Sequence, residues 1–531
     1  MSRKAARTSH RKAQGGYGRV SSNFLRLTRF AGQLVGWATL LPMRLFNARI
    51  NMGNGLPIPR PSDRPLLLGL FAVVLWAVAT SVVQAVPDGG SQEWQAGIAR
   101  ATITPAEPMW MAGYAARTKP SEGKVHDLYA KALALQDADG ARLVIVTLDL
   151  IGIDRGMRKW VEKEVKRRFQ LGPASLLINA SHTHSGPVLR QTRYSIYGDS
   201  LYGLTPEQVE QCRTYSERLQ RQIADLVGAA LENLSPARLA YTHARAGFAM
   251  NRRLNPGQGY RISANPDGPV DHDVPVLRIS GPDGALRALL FGYACHCTTL
   301  SFYQFCGDYA GFAQEYLEQA HPGTTALFVA GCGGDQNPYP RHGDGALEFC
   351  RQHGRALANA VEAALGGPSK SVGGPLRTAW EEITLEFAEP PSREALEKQA
   401  RSKDKYDRGH AKFLLQELDR NGAITTTYPY PVQVVRFGEA VTMVALAGEV
   451  VVDYSLRFKR ELAGPAVWVA GYSNDVFGYV PSLRVLKEGG YEGGGAMRYT
   501  PLPGPFAPSV EQRIVKAVHK LARQTQISKQ N

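Results

Sequence analysis

Six short apolar runs, each about the length of a β-strand, punctuate the chain beyond residue 140. They are LVIVTLDL (143–150), SLLINAS (175–181), ALLFGYAC (288–295), TALFVAG (325–331), VTMVALAG (441–448) and VWVAGYS (467–473). Longer segments with apolar residues at helical spacing stand between them, at 156–169, 205–234, 309–320 and 393–420. Continuous apolar runs describe strands covered on both faces, and the intervening amphipathic segments supply the cover. The pattern predicts an α/β architecture of two sheets with flanking helices. An earlier run is different in kind. Leu66 to Ala79 reads LLLGLFAVVLWAVA, has no polar side chain, and follows Arg60 and Arg64.

Composition narrows the class. A chain of 531 residues with 44% hydrophobic and 21% charged residues is globular. Its net charge of +15 invites a nucleic-acid reading, but twelve Lys/Arg against a single acid, Asp63, lie in residues 1–64. The excess belongs mostly to that leader, so charge gives no support to a nucleic-acid-binding body. The leader and the apolar run predict export. Val83 and Ala85 are small residues at the positions signal peptidase reads, so cleavage falls after Ala85, with an uncleaved signal anchor as the alternative. Residues 1–64 read as a disordered basic leader, or as upstream sequence before a true start such as Met52. The six cysteines (212, 295, 297, 306, 332, 350) lack zinc-ribbon spacing and are read as structural.

The chemistry lies at the ends of the runs. The second leads into His182-Thr183-His184, the third into His296, the fourth into Gly333-Gly334-Asp335, the fifth into Glu449 and the sixth into Asn474-Asp475. In α/β folds, sites form beyond the carboxyl ends of strands, where loops converge. His182, His296 and Glu449 would together supply two imidazoles and a carboxylate, a donor set suited to catalytic zinc. His184, two residues beyond His182, shares its side on an extended segment, so that one of the pair could bind metal while the other reaches the substrate. No HExxH helix, GxSxG elbow, Walker loop or Rossmann glycine motif is present; Ser185 reads as a turn hydroxyl and Gly493–Gly495 as a flexible stretch.

These residues stand among motifs that resemble the catalytic domain of the neutral/alkaline, non-lysosomal ceramidases. In chain order they are GIARATITP (97–105), NASHTHSGP (179–187), Asn251-Arg252, FGYACHCTTL (291–300), GDYAG (307–311), FVAGCGGDQNP (328–338), ALAGE (445–449), GYV (478–480) and YEGG (491–494). The likeness covers about residues 95–500. It implies a zinc-dependent amidase in which His182, His296, Glu449 and Tyr479 bind Zn2+. His184, Arg252 and Tyr491 would surround the scissile carbonyl as catalytic groups. It also implies an N-acyl lipid such as ceramide as substrate.

The chain departs from the family pattern at Val188-Leu189-Arg190, where glycines are usual, and at Cys297. It ends forty residues after Tyr491, without room for the β-sandwich domain that typically closes the ceramidases. The expectation is therefore one exported catalytic domain at 86–531, periplasmic, secreted or membrane-anchored. Its substrate would be lipid-like, with a membrane surface as a candidate neighbour and no nucleic acid as partner. Two other readings stay open. One is a zinc hydrolase of the same fold acting on a smaller or more polar amide or ester. The other is a non-catalytic envelope binding protein.

Overall fold

Two sheets stack face to face over a shared apolar layer, and helices cover both outer faces. The computed structural model describes residues 94–189 and 204–527; the basic leader, the 65–85 segment and Arg190 lie outside the described residues. The larger sheet runs in the order Thr325–Ala330, Leu286–Tyr293, Asp273–Ser280, Ser235–Arg245, Trp94–Thr102, Tyr129–Gln136, Arg142–Leu148, Leu176–Ala180, with the short strand Lys370–Val372 paired to Ser235–Arg245. The second runs Leu376–Glu386, Thr427–Phe437, Val441–Leu446, Ala466–Ala470. Two smaller ladders, Gln336–Pro338 with Ala249–Leu254 and Arg261–Asn265, and Glu449–Val450 with Tyr479–Val480, accompany the two principal sheets. The mixed α/β class is as the hydropathy predicts.

Period-two alternation assigns the faces. In Arg142–Leu148, Leu143 and Ile145 point between the sheets, where they join Leu290, Leu327, Val435, Met443 and Trp468. Val144 and Val146 point outward to the helices Arg155–Phe169 and Pro206–Glu232. Helices Asp308–Ala320 and Ala346–Gly366 cover the other half of the large sheet, and Asp453–Glu461 and Val510–Gln524 cover the second. Helix starts follow local chemistry. Asp154 caps the first described helix by accepting from the Met157 N–H, and Thr205 forms a capping box with Gln208. The 393–420 segment is two helices, Arg393–Gln399 and Lys405–Asn421, because Asp404 caps the second through the N–H groups of Tyr406 and Asp407. Among the described residues no helix is long and apolar enough to cross a membrane.

Three pairs of parallel strands frame the chemistry. Arg142–Leu148 pairs with Leu176–Ala180, Leu286–Tyr293 with Thr325–Ala330, and Val441–Leu446 with Ala466–Ala470. A helix lies in each connection, so the carboxyl ends of all six point to loops rather than to hairpins. The large sheet curls until its two edge strands meet. Asn179, from one edge, donates to the Ala330 carbonyl and accepts from the Ala330 N–H at 2.8 Å on the other. The same amide donates to Gly471 O at 2.8 Å and to Ser473 Oγ at 3.1 Å, which ties in the second sheet. One buried amide thus gathers strand ends from 180, 330 and 470.

Candidate active site

His182 and His296 are fully buried, and each has its ring fixed from behind. His182 Nδ1 lies 2.6 Å from the Ile151 carbonyl and His296 Nδ1 lies 2.6 Å from the Gly333 carbonyl. A carbonyl can only accept, so both rings carry their proton on Nδ1 and present a bare lone pair at Nε2. These lone pairs converge on Glu449 Oε2, at 3.2 Å from His182 and 3.1 Å from His296. Glu449 is placed by the short parallel ladder, in which it pairs with Tyr479. The Tyr479 hydroxyl stands 3.3 Å from His296 Nε2. His182 takes a left-handed backbone (φ 61°), and its ring packs against Tyr472, 4.5 Å between centroids.

Electrostatics state what the cluster needs. Burial lowers His296 to about 3, with the Arg252 charge adding to the effect. Burial would raise Glu449, but a proton on either facing imidazole, through its charge and hydrogen bond, outweighs that and holds the carboxyl well below its usual range. Acceptors facing acceptors at 3.1–3.2 Å repel unless a cation, proton or metal, sits among them. Zinc bonds of about 2.0–2.1 Å at tetrahedral angles give ligand-to-ligand edges of about 3.3–3.4 Å. The donor set and its spacing therefore fit such an ion.

His184 Nε2 joins the edge of this group, 3.2 Å from His182 Nε2, and His182, His184 and His296 form a trio able to hold a metal. Unlike the other two it has no anchor: its buried Nδ1 has no hydrogen-bond partner, so neither tautomer is imposed. Burial, and then the neighbouring imidazoles, drive it well below the ordinary histidine range. Gly113 makes room for it. A Cβ at that position (φ +99°) would lie 2.5 Å from the His184 ring.

Arg252 comes from the strand Ala249–Leu254. Its Nη2 donates to the Tyr479 hydroxyl at 2.8 Å, its Nη1 to Asn337 Oδ1 at 3.2 Å and its Nε to Glu492 Oε1 at 2.8 Å. Glu492 also receives Arg253 Nη1 at 2.7 Å. Tyr491 packs edge-on to Tyr479, 5.2 Å between ring centroids. A cavity of about 260 Å³ opens over the group, lined among others by His182, His184, Glu449, Tyr479 and Tyr491. The structure thus brings all seven sequence-nominated residues to one place. Sequence reasoning did not nominate Arg117, which donates to the His184 carbonyl at 2.8 Å, nor Tyr472, Asn337 or Glu492. The acid following Tyr491 was a usable signal for Glu492; Arg117 had none.

Comparisons with known proteins bear on the family and the fold. Residues 94–375, more than half of the chain, match the family model of the neutral/alkaline non-lysosomal ceramidase, N-terminal. Neutral ceramidase B of Dictyostelium discoideum is 26% identical over a stretch covering 48% of this chain and 37% of that protein, so the chain spans well under two thirds of that relative's length. Among solved structures, a ceramidase complexed with C2 superposes with a TM-score of 0.64 at 20% identity, covering 82% of this chain and 76% of that one. The neutral ceramidase from Pseudomonas aeruginosa gives 0.62 at 21% identity, covering 83% and 76%. At these identities the two structures establish the shared fold.

Proposed function

The chain belongs to the neutral/alkaline non-lysosomal ceramidase family, and on that premise we propose that it is a zinc-dependent hydrolase cleaving the amide of an N-acyl lipid such as ceramide. The observation that carries the reading is the acceptor-only cluster of His182, His296 and Glu449 at 3.1–3.2 Å, which calls for a cation. A zinc ion held by these three and Tyr479 would supply a Lewis acid that lowers the pKa of water and polarises the amide carbonyl.

The chain's own groups account for the rest. Glu449 meets both imidazoles through Oε2, which leaves Oε1 to take a proton from the attacking water. As the water oxygen bonds to the carbonyl carbon, charge develops on the carbonyl oxygen. Arg252, held through its Nε by Glu492, and the Tyr491 hydroxyl are the donors for it. Glu449 then gives up the proton it took, and His184, its Nδ1 unanchored, relays that proton to the leaving nitrogen as the C–N bond breaks, releasing fatty acid and amine. The aromatic and alanine lining of the cavity, including Ala115, Ala116, Ala496 and Tyr499, excludes water around the amide.

A second reading rests on size. A cavity of about 260 Å³ is below the usual range for drug-sized ligands, which favours a shorter or more polar amide or ester. Residues 86–531 would act as the catalytic domain after export, with the N-terminus of the mature chain at Val86; mass spectrometry of the processed protein tests this. The decisive experiment measures metal content and fatty-acid release on a panel from ceramide to short acyl amides. About one zinc per chain with ceramide cleaved best supports the first reading, and zinc with only short amides cleaved supports the second. No zinc and no cleavage would overturn both and leave a binding protein.

A further inference from the structure

Beside the cavity stands a cation that the proposed reaction does not use. Arg341 lies in the loop between the strand Gln336–Pro338 and the helix Ala346–Gly366. Its Nη2 lies 2.7 Å and its Nε 3.2 Å from His342 Nε2. The His342 ring also bonds to the Thr298 backbone carbonyl, and burial with the Arg341 charge lowers it to about 4. It is therefore a neutral imidazole, with Nδ1–H given to that carbonyl and Nε2 accepting from the guanidinium. His342 holds a left-handed backbone (φ 60°), a conformation unfavourable for a non-glycine residue, and so its ring is placed at a cost of about 1 kcal/mol or more.

This clamp orients Arg341 without neutralising it. Buried or half-buried arginines are normally tied to carboxylates, as Arg252 and Arg253 are tied to Glu492 here. Among the described residues no carboxylate lies within 4.0 Å of Arg341, although the side chain is mostly withdrawn from solvent. Tyr114 connects the clamp to the cavity, whose lining includes that tyrosine but not Arg341 itself. The Tyr114 hydroxyl is 3.2 Å from His342 Nε2, the tyrosine lines the cavity, and its ring lies 4.9 Å from that of His184. A partly desolvated, oriented guanidinium with no carboxylate in contact, only Asp308 acting on it from farther off, is a site for a carboxylate or phosphate.

We propose that Arg341, braced by His342 and Tyr114, recognises an anionic group on the substrate, so that the preferred substrate is an N-acyl amide bearing a carboxylate or phosphate near the scissile bond rather than a neutral lipid amide. The inference rests on the amidase reading for its catalytic arm. It also makes a binding claim that stands without turnover.

The test uses the full chain and matched acyl amides. N-dodecanoylglycine is compared with N-dodecanoylethanolamine, and N-dodecanoylsphingosine with its phosphate ester, in the parent and in Arg341→Gln and Arg341→Lys. Kinetics are measured on the zinc-loaded protein and binding by calorimetry on metal-free protein. A charge-assisted contact predicts that the parent prefers the acidic member of at least one pair by about ten-fold or more in kcat/KM and in Kd. Arg341→Gln should abolish that preference while changing the neutral members less than three-fold, and Arg341→Lys should restore part of it. Preference within the glycine pair alone identifies a carboxylate, and within the sphingosine pair alone a phosphate. Equal use of acidic and neutral members, or an equal loss on both in Arg341→Gln, overturns the anion site and leaves the amidase reading intact. Selective binding of the acidic member with no hydrolysis of any compound overturns the amidase reading and leaves the anion site.

Discussion

Glu492→Gln separates the support of the reaction centre from its donor atoms. Glu492 is a carboxylate with 2% side-chain exposure that serves two guanidinium groups, Arg252 (5%) and Arg253 (2%), at 2.8 and 2.7 Å. Glutamine keeps the volume and one acceptor oxygen but removes the charge. Arg253 retains Glu488 at 3.1 Å, whereas Arg252 loses the one carboxylate that pairs with it among the described residues. Breaking a buried pair from one side costs about 3–5 kcal/mol, and the retained acceptor puts this case near 3 kcal/mol. At about 2.1 cal/mol/K of unfolding entropy per residue, a domain of this size should lose about 3 °C in Tm. Arg252 stays present but less firmly aimed, so kcat should fall about 10- to 100-fold, short of the loss expected from removing an oxyanion donor outright. Zinc content should be unchanged, because Glu492 touches no member of the metal cluster. Calorimetry, metal analysis and steady-state kinetics on one preparation check the three values. Glu488→Gln, which touches Arg253 but not Arg252, is the control and should leave kcat within two-fold. Parent-like kcat and Tm in Glu492→Gln, or zinc lost in step with activity, would refute the reasoning.

Three further outcomes follow from the same geometry. His182→Ala and Glu449→Ala should lose zinc and turnover together, each removing a donor from the 3.1–3.2 Å cluster; full activity in a metal-free variant would sink the zinc mechanism. Tyr491→Phe should retain zinc and lose about 100- to 1,000-fold in kcat, and an unchanged rate would remove that hydroxyl from the reaction. Asn179→Asp replaces an amide that donates to Gly471 O and Ala330 O with a carboxylate that cannot. Two buried carbonyls then face a charge, so stability should drop by about 2–4 kcal/mol and zinc affinity with it, read by thermal melts and metal competition.

How much of this was legible in the sequence depends on the length of the element carrying each residue. His182, His296 and Glu449 each follow an apolar run of a parallel strand, so hydropathy alone located them, and the helical connections explain why the loops beyond those strands are free to converge. Tyr479 and Arg252 sit on ladders of two or three short strands. Tyr479–Val480 is two residues long, too short for any periodicity, and only the family resemblance reached it. The first strand, Trp94–Thr102, alternates irregularly between buried and exposed positions, and so it gave no run to see.

The remaining signals were polar residues where the pattern called for apolar ones. Asn179 interrupts the end of a buried strand, and an amide there must find partners for two donors and an oxygen. Its partners are backbone atoms of residues 330 and 471 and the Ser473 hydroxyl, about 150 and 290 residues away. The residue type announces that distant strand ends meet at this point, but nothing local says which. Backbone conformation raises the same difficulty. His182, His342, Tyr472 and Asn474, on the loops around the site, and Asp308, at the start of a helix, are all non-glycine residues with positive φ. Local preference opposes each of them, so tertiary contacts hold them there: His182 through its N–H to Leu150 O, His342 through its N–H to Thr299 O, and Asn474 through its N–H to Ile178 O. A frame of strands and helices follows from local pattern because local pattern stabilises it. The site is assembled from segments that the frame forces against their own preferences, which is why its donors could be nominated from the chain while the residues aiming them became visible only once the strands were in place.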